Sequence, residues 1–590
     1  MRFRNWVRLA VLVLLLLVVL SQTIPAHGQV SRARPVHGPD LGWAGIQTQD
    51  QVTLTLTGRV LNTQELPVDD AEVRVLIEGE GKGTDRTDES GFYVLELTLP
   101  PALLGMDTMT IEISKAGFRT QRQDFAREQL ATIGECCLAR IPDVVLVRTM
   151  NQAFFLTTAI FVLVFAIISL NLLHETVAAI LGAAAMLGIS YLIGVFHADY
   201  WILGFERAVE YIDLDVIFLI MTLMIVVSVI GRTGLFQWLA LQAYRSARGS
   251  AWRLAILLMI ATAAMSAFLN NVTIMLLMAP ITIEIALMLE INPTALLIPE
   301  ALASNIGGVA TLIGDPPNTI IGSYAGLGFN QFLIHMGPVA GIATITLIGT
   351  ICIIYRHDYA KARKTPSPTL LARLERDAQI TDPVTLRRAL VVIGLMLVLF
   401  FTSEFFHMPP SVVGFIGAAT LLVWVRPNVE EMLSEVDWTT LMFFICLFIV
   451  VGGVQEVGLI QWVADSIAGL AGDDLFVAMQ AVIWLSAVAS AIVNNIPFAT
   501  AFLPIAAYLS QTIPGASNNL LYWSLSLGAN LGGNATYVGS APNVVAAGYL
   551  ERAGSRVRFL DWLKIGAPVT LVTILVPTVW MMVRYFWLKF

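Results

Sequence analysis

The chain has 590 residues, 56% of them hydrophobic and 13% charged, with a mean hydropathy of +0.74. Globular domains carry about 25% charged residues, so this balance over this length excludes a soluble protein and indicates a polytopic membrane protein. The net charge of −8 comes with no basic patch interleaved with aromatics, which argues against a nucleic-acid partner, and the four cysteines form no metal-spaced cluster.

Taken in chain order, Arg2, Arg4 and Arg8 precede an apolar run from Leu9 to Leu20 and the small-residue stretch Ala26-His27-Gly28. Residues 1–28 read as a secretory signal cleaved after Gly28 or as an uncleaved N-terminal anchor, and both send the next segment outside. Residues 29–50 form a linker. Residues 51–145 change to strand patterning, with VTLTLTGRV, AEVRVLIEG, GFYVLELTL and MTIEISKAGF separated by turn residues. Such alternation predicts a small antiparallel sandwich. No Ser/His/Asp or metal constellation lies in it, and a supporting role is the expectation.

From residue 150 onward most segments are long enough to span, since a crossing needs about 20 apolar residues. Expected spans lie near 152–172, 176–196, 212–231, 254–290, 294–326 and 332–355 in a first repeat (150–356). After a cytoplasmic linker (357–386), a second repeat (387–590) has spans near 387–406, 410–426, 437–455, 475–510, 519–549 and 565–587. The halves match block by block. The segment starting at Ile212 parallels that at Val436. SAFLNNVTIMLLMAPI at Ser266 parallels SAIVNNIPFATAFLPI at Ser490, and SNIGGVATLIGDPPN at Ser304 parallels ANLGGNATYVGSAPN at Ala529.

Charge sets the orientation. If 254–290 and 475–510 are re-entrant hairpins with Asn-Asn at their tips, seventeen Lys and Arg fall in loops on one side, and the opposite loops hold only Arg207. Each half then has an odd number of crossings, so the halves are inverted, the architecture of secondary transporters. The expected fold is an all-α polytopic membrane protein. It is an inverted repeat with re-entrant hairpins and broken helices, carrying a small extracytoplasmic β-sandwich at its N-terminus.

The chemistry is expected at the breaks. Gly307-Gly308, Gly314 and Pro316-Pro317 interrupt an apolar helical run, and lipid cannot satisfy the freed backbone groups. Candidate ion- or substrate-binding residues in the first half are Ser266, Asn270, Asn271, Ser304, Asn305, Gly314, Asp315 and Asn318. In the second half they are Ser490, Asn494, Asn495, Asn530, Thr536, Gly539, Ser540 and Asn543. The spacing of four puts Ser266 and Asn270, and likewise Ser490 and Asn494, on one helix face. Asn side chains and freed carbonyls are hard oxygen donors suited to sodium, here at Asn270, Asn271, Gly314, Asn494, Asn495 and Gly539. The alternative is that these Asn residues merely cap buried helix ends.

The halves differ at two positions. Asp315 corresponds to Ser540 and Glu300 to Leu525, so both carboxylates sit in the first half. A carboxyl at membrane depth is costly to keep charged and can exchange a proton for a cation, which makes Asp315 and Glu300 the proton-carrying candidates. The plainer readings are a turn carboxylate for Asp315 and a packed side chain for Glu300.

SNIGGVATLIGDPPNTIIG, with FLNNVT upstream, resembles the ion transporter superfamily of citrate-transporter-like domains. The similarity is closest to the branch of NhaD-type sodium/proton antiporters, arsenite pumps and the melanosomal P protein, over residues 150–590. TGRVLNTQELPVDDAEVRV…TDESGFYVLEL…ISKAGFRT resembles a carboxypeptidase-regulatory-like β-sandwich over residues 51–125. The first resemblance implies an inverted-repeat fold, a homodimer, an elevator-like motion and cation sites at hairpin tips and broken helices. Related divalent-anion symporters carry Ser-Asn-Thr at the hairpin tips, where this chain has Asn270-Asn271-Val272 and Asn494-Asn495-Ile496. That departure leans away from carboxylate substrates.

The function expected is sodium/proton antiport through a midplane site. The alternatives are sodium-coupled di- or tricarboxylate or other anion transport, arsenite efflux, or an anion channel. Not an enzyme, the protein would need no cofactor beyond transported Na+ and H+. Its partners would be membrane lipid and inorganic ions or small anions, and its location the plasma (inner) membrane. No P-loop is present, which argues against ATP-driven transport.

Overall fold

The computed structural model describes residues 52–587 except 63–66, 78–79, 100–107, 116–117, 127–130, 134–135, 147–149, 171, 363–374, 377 and 473. The expected signal segment (1–28) and linker (29–50) lie outside the described residues, as does part of the linker 357–386. The chain divides into two compact units. One comprises Met1–Thr158, Gly188–Ile202 and Glu456–Gly458, and the other Ala159–Leu187, Leu203–Gln455 and Leu459–Phe590.

The first unit contains a β-sandwich. Strands β1 (Val52–Asn62), β4 (Phe92–Leu99), β7 (Ala131–Ile133), β8 (Cys136–Arg140) and β9 (Val144–Leu146) make one sheet, in the order β4-β1-β8-β7 with β9 on β1. Strands β2 (Glu72–Ile77), β3 (Glu80–Arg86), β5 (Thr108–Ser114) and β6 (Gln121–Ala126) make the other, ordered β3-β2-β5-β6. The period of two puts Leu54 and Leu56, Val73 and Val75, Tyr93, Leu95 and Leu97, and Ile111 and Ile113 into one core between the sheets. The expectation of antiparallel pairing holds for most ladders, but β1 pairs β8 and β9 in parallel. Those two strands come from 136–146, after MTIEISKAGF, the last of the four segments that the sequence pattern marked as strands.

The second unit is helical. Among the described residues nine helices are long and apolar enough to cross a membrane. The first half runs α1 (Gln152–Ser169), α2 (Glu175–Ile189), α3 (Phe205–Glu210), α4 (Leu214–Gly231), α5 (Leu235–Ala247), α6 (Ala251–Ser266), α7 (Asn271–Met288), α8 (Thr294–Gly308), α9 (Pro316–Ala325), α10 (Phe329–Ile354) and α11 (Arg356–Lys361). The second runs α12 (Pro383–Thr402), α13 (Pro410–Val425), α14 (Val429–Ser434), α15 (Trp438–Glu456), α16 (Leu459–Ala471), α17 (Leu475–Ile492), α18 (Asn495–Thr512), α19 (Leu520–Gly532), α20 (Ala541–Arg552) and α21 (Phe559–Met582).

Element for element the halves correspond, and each expected long segment resolves as a hairpin (α6–α7, α17–α18) or a broken helix (α8–α9, α19–α20). Contacts between the halves are reciprocal: α9 packs on α18 and α19, and α20 packs on α7 and α8. Reciprocity of this kind defines a two-fold relation. Two helices stand where the span pattern left loops, α5 and α16. At 13 residues each they are too short to cross.

Small residues let backbones meet. A Cβ on Gly307 would lie 2.1 Å from the Ala263 carbonyl oxygen, and one on Gly532 2.5 Å from that of Ala487, so α8 sits against α6 as α19 sits against α17. Prolines inside these helices free the carbonyl four residues earlier, which lipid could not satisfy. Side chains supply the partner. Pro280 frees Leu276, whose oxygen accepts from the Tyr549 hydroxyl at 3.3 Å. The carbonyl freed by Pro299, at Ala295, accepts from Tyr359 at 2.7 Å, and that freed by Pro338, at Ile334, from the Arg584 guanidinium at 2.8 Å.

Candidate functional site

The two hairpin turns are built by asparagine. Asn270 and Asn494 are N-caps of α7 and α18: Asn270 Oδ1 accepts from the Val272 and Thr273 amides at 2.9 and 3.4 Å, and Asn494 Oδ1 from Ile496 at 3.3 Å. The expectation that Ser266 and Asn270 share a helix face is corrected here, as is that for Ser490 and Asn494. The chain leaves α6 at Ser266 and restarts helix only after Asn270, so the two residues belong to different helices, and Asn494 likewise opens α18 beyond the end of α17. The reason is local: an Asn that binds the next turn's amides begins a helix rather than continuing one.

The next residue of each pair, Asn271 and Asn495, is buried and points inward. Asn271 Nδ2 donates to Asn305 Oδ1 at 3.3 Å, and Asn495 Nδ2 to Asp315 Oδ2 at 3.4 Å. The breaks fold around two further asparagines. Asn318 Nδ2 donates to the carbonyls of Gly308, Val309 and Thr311 at 3.0, 3.2 and 2.9 Å; Asn543 Nδ2 donates to those of Gly533 and Thr536 at 3.0 and 3.1 Å. The backbone groups that the break frees are thereby paired inside the protein.

Gly314 and Gly539 close the arrangement. A Cβ on Gly314 would meet the Gly308 and Ser266 carbonyl oxygens at 2.6 and 2.7 Å, and one on Gly539 the Gly533 and Ser490 oxygens at 2.7 and 2.8 Å. Each hairpin turn is thus pressed against its own break. Thr311 Oγ1 donates to the Ala267 carbonyl and Thr536 Oγ1 to that of Ala491, which tie break to hairpin in both halves.

The halves join across the two-fold. Asn305 Nδ2 donates to Asn543 Oδ1 at 3.1 Å, and its counterpart Asn530 Nδ2 donates to Asn318 Oδ1 at 2.8 Å. Ser540 Oγ donates to Asn305 Oδ1 at 2.9 Å. The equivalent position in the other half is Asp315, and there Asn530 Oδ1 has no partner. Asn271 Oδ1 and Ser266 Oγ are also buried without one.

Of the remaining candidates, Ser304 Oγ donates to the Ala301 carbonyl within its own helix and Ser490 Oγ to the Ala529 carbonyl. Glu300 is fully buried between α8 and α6, where Thr262 Oγ1 donates to it at 3.1 Å, and it lines none of the cavities described below. Among the described residues the buried Asp and Glu side chains of the membrane unit are Asp315 and Glu300; no Lys, Arg or His is buried there.

Three contributors were not picked out in sequence. Asn534 Oδ1 accepts from Asn305 at 2.7 Å, and Ser526 Oγ donates to Asn318 at 2.6 Å. A signal for both was available, because they stand opposite Val309 and Ala301 in the matched repeat. The third is Glu175, at the start of α2. Its Oε2 accepts from Asn494 at 3.3 Å. It also lines a cavity of about 420 Å³ that reaches Asn270, Pro316, Asp437, Glu435 and Arg232.

The citrate transporter family (CitMHS) matches residues 160–528. An uncharacterised transporter of Mycobacterium bovis is 36% identical over 430 residues, 72% of this chain and 97% of its own. The human P protein is 31% identical over 508 residues, covering 73% of this chain and 60% of its own length. Among solved structures, the Alcanivorax borkumensis YdaH transporter aligns over 70% of this chain and 99% of its own at 13% identity, with a TM-score of 0.49.

Proposed function

Because the chain belongs to the citrate transporter family and is a membrane transporter, we propose that it exchanges sodium for protons at Asp315. The observation that carries this reading is the buried pairing of Asp315 with Asn495, in a centre where the two-fold partner of the carboxylate is the neutral Ser540. A charge so placed needs a counter-charge, and a proton or a cation supplies it. Three buried oxygens without a protein partner, on Ser266, Asn271 and Asn530, belong to the elements that meet there and are hard donors fit for sodium. In this reading the cation displaces the Asp315 proton, and both cannot be held at once.

The orientation deduced from the basic loops supports a plasma-membrane protein with its N-terminal unit outside, and the family resemblance supports a homodimer. A second reading, sodium-coupled uptake of a citrate-like carboxylate, is favoured by the family's description. Against it stand the missing hydroxyls at the hairpin tips and the absence of buried basic groups among the described residues.

The test is proteoliposomes loaded with a pH-sensitive dye. Sodium should drive proton movement, Asp315→Asn should reduce it to background, and citrate should have no effect. Citrate uptake that requires a sodium gradient would establish the second reading, and proton movement retained in Asp315→Asn would refute the first.

A further inference from the structure

Two cavities approach the site, each at one of the hairpin tips. The one of about 420 Å³ reaches Asn270 at the first tip and Pro316, next to Asp315. The other, of about 320 Å³, reaches Asn494 at the second tip and is lined by His174, Leu173 and Val538. Glu175 lines both, as does Ala541 at the start of α20.

The charge of the larger cavity is not balanced. Glu175, Glu435 and Asp437 line it with a single cation, Arg232. Arg232 is held by Glu435 at 2.7 Å and also by Glu431 at 3.0 Å, so its charge is already spent on other carboxylates. Asp437 is engaged by the hydroxyls of Thr439 and Thr440 at the start of α15. Glu175 is different, since its contact is to a hairpin tip. Asn494 Nδ2 donates to Glu175 Oε2, and the adjacent Asn495 Nδ2 donates to Asp315 Oδ2. Two successive residues of one turn therefore connect a carboxylate at the cavity wall with the buried carboxylate.

We propose that Glu175 is the mouth carboxylate of the cation route, drawing a monovalent cation into the acidic cavity and delivering it past the Asn494-Asn495 turn to Asp315. This rests on the cation/proton reading of Asp315. A fixed negative charge at the mouth of a low-dielectric cleft raises the local concentration of cations and lowers that of anions. Glu175 thereby selects for charge sign before the site is reached. It also explains why the second hairpin begins with an Asn whose amide faces outward: that amide holds the carboxylate at the tip without neutralising it. The charged and titratable groups around Glu175 are His174 beside it on the chain, Glu435 at the end of α14, Asp437 just before α15, and Arg232 at the end of α4.

The experiment compares wild type, Glu175→Gln, Glu175→Asp and Asp315→Asn in proteoliposomes of both orientations, at fixed pH and low ionic strength. Gln keeps an oxygen that Asn494 can donate to and removes only the charge. The expected result for Glu175→Gln is an apparent KM for sodium raised roughly 3- to 10-fold with maximal rate kept. The effect should be confined to the membrane face onto which the cavity opens and should vanish at high salt, where charges are screened. Glu175→Asp should restore most of the affinity. An unchanged sodium KM in Glu175→Gln, or a rise equal from both faces, overturns the proposal. If Glu175→Gln is silent while Asp315→Asn abolishes exchange, only the role of Glu175 falls. If Asp315→Asn is active, the exchange reading itself falls.

Discussion

Asn318 is the side chain on which the first broken helix depends most, and its removal gives a graded prediction. Its amide nitrogen serves the carbonyls of Gly308, Val309 and Thr311, while its oxygen accepts from Ser526 and Asn530. In Asn318→Ala, Asn530 keeps its bond to the Ser526 carbonyl, and the Ser526 hydroxyl can turn to its own helix. The carbonyls of the break have no such recourse. Two amide hydrogens are lost, and each buried acceptor left unpaired costs about 1–3 kcal/mol. The expected penalty is thus about 2–6 kcal/mol, a large part of the roughly 5–15 kcal/mol that separates folded from unfolded proteins. Asn318→Asp has nearly the same shape yet should be at least as damaging, because it turns an oxygen toward three carbonyl oxygens and buries another charge. Asn543→Ala should be milder, since Asn543 serves two carbonyls rather than three. The assay is the thermal midpoint of detergent-solubilised protein at a fixed heating time, because membrane proteins of this size seldom unfold reversibly. A midpoint for Asn318→Ala within about 1 °C of wild type, or an Asn318→Asp protein as stable as wild type, would refute the reasoning.

Gly314→Ala should abolish transport and lower the yield of folded protein, because a Cβ would strike the carbonyls of Ser266 and Gly308. Gly341→Ala in α10, where a Cβ meets nothing within 4 Å, should leave transport intact and stabilise slightly, by about 0.5–1 kcal/mol; the pair is read by uptake and by size-exclusion profile. Asn495→Ala removes the side-chain donor to Asp315 and should shift the pH optimum of exchange, whereas Asn495→Ala with an unchanged pH profile would show that the contact has no part in proton binding. In the sandwich, the Ser90 hydroxyl and then the Phe92 amide hold the Asp88 carboxylate below its usual range. A carboxylate depressed in the folded state lends stability above the unfolded value near pH 4 and loses it as pH falls through the folded one. The protection factor of the Phe92 amide, taken relative to the intrinsic exchange rate at each pH, should therefore fall at pH 3 compared with pH 6, and in Asp88→Ala it should be low at both.

The sequence alone carried the membrane class, the two matched halves and the position of each break. Those signals are local: apolar runs set span lengths, Gly and Pro interrupt helix geometry wherever they stand, and an Asn after an apolar helix caps the next one. The sandwich was legible for the same reason, through the period of two in β1, β2, β4 and β5; β3, β6 and β7 carried no such pattern, nor did the parallel strands at 136–146, whose partners are chosen by distant chain. Pairing across the halves was not legible. That Asn305 meets Asn534 and Asn543, that Asn318 meets Ser526 and Asn530, and that Glu175 reaches Asn494 more than 300 residues away follow from a two-fold packing that no stretch of sequence encodes by itself. Asp315 shows the division. Sequence marked it as the carboxylate that its counterpart lacks, while tertiary structure set the Asn495 amide of the opposite half against it and buried it there, because only the folding of one broken helix against the other hairpin removes water from that place.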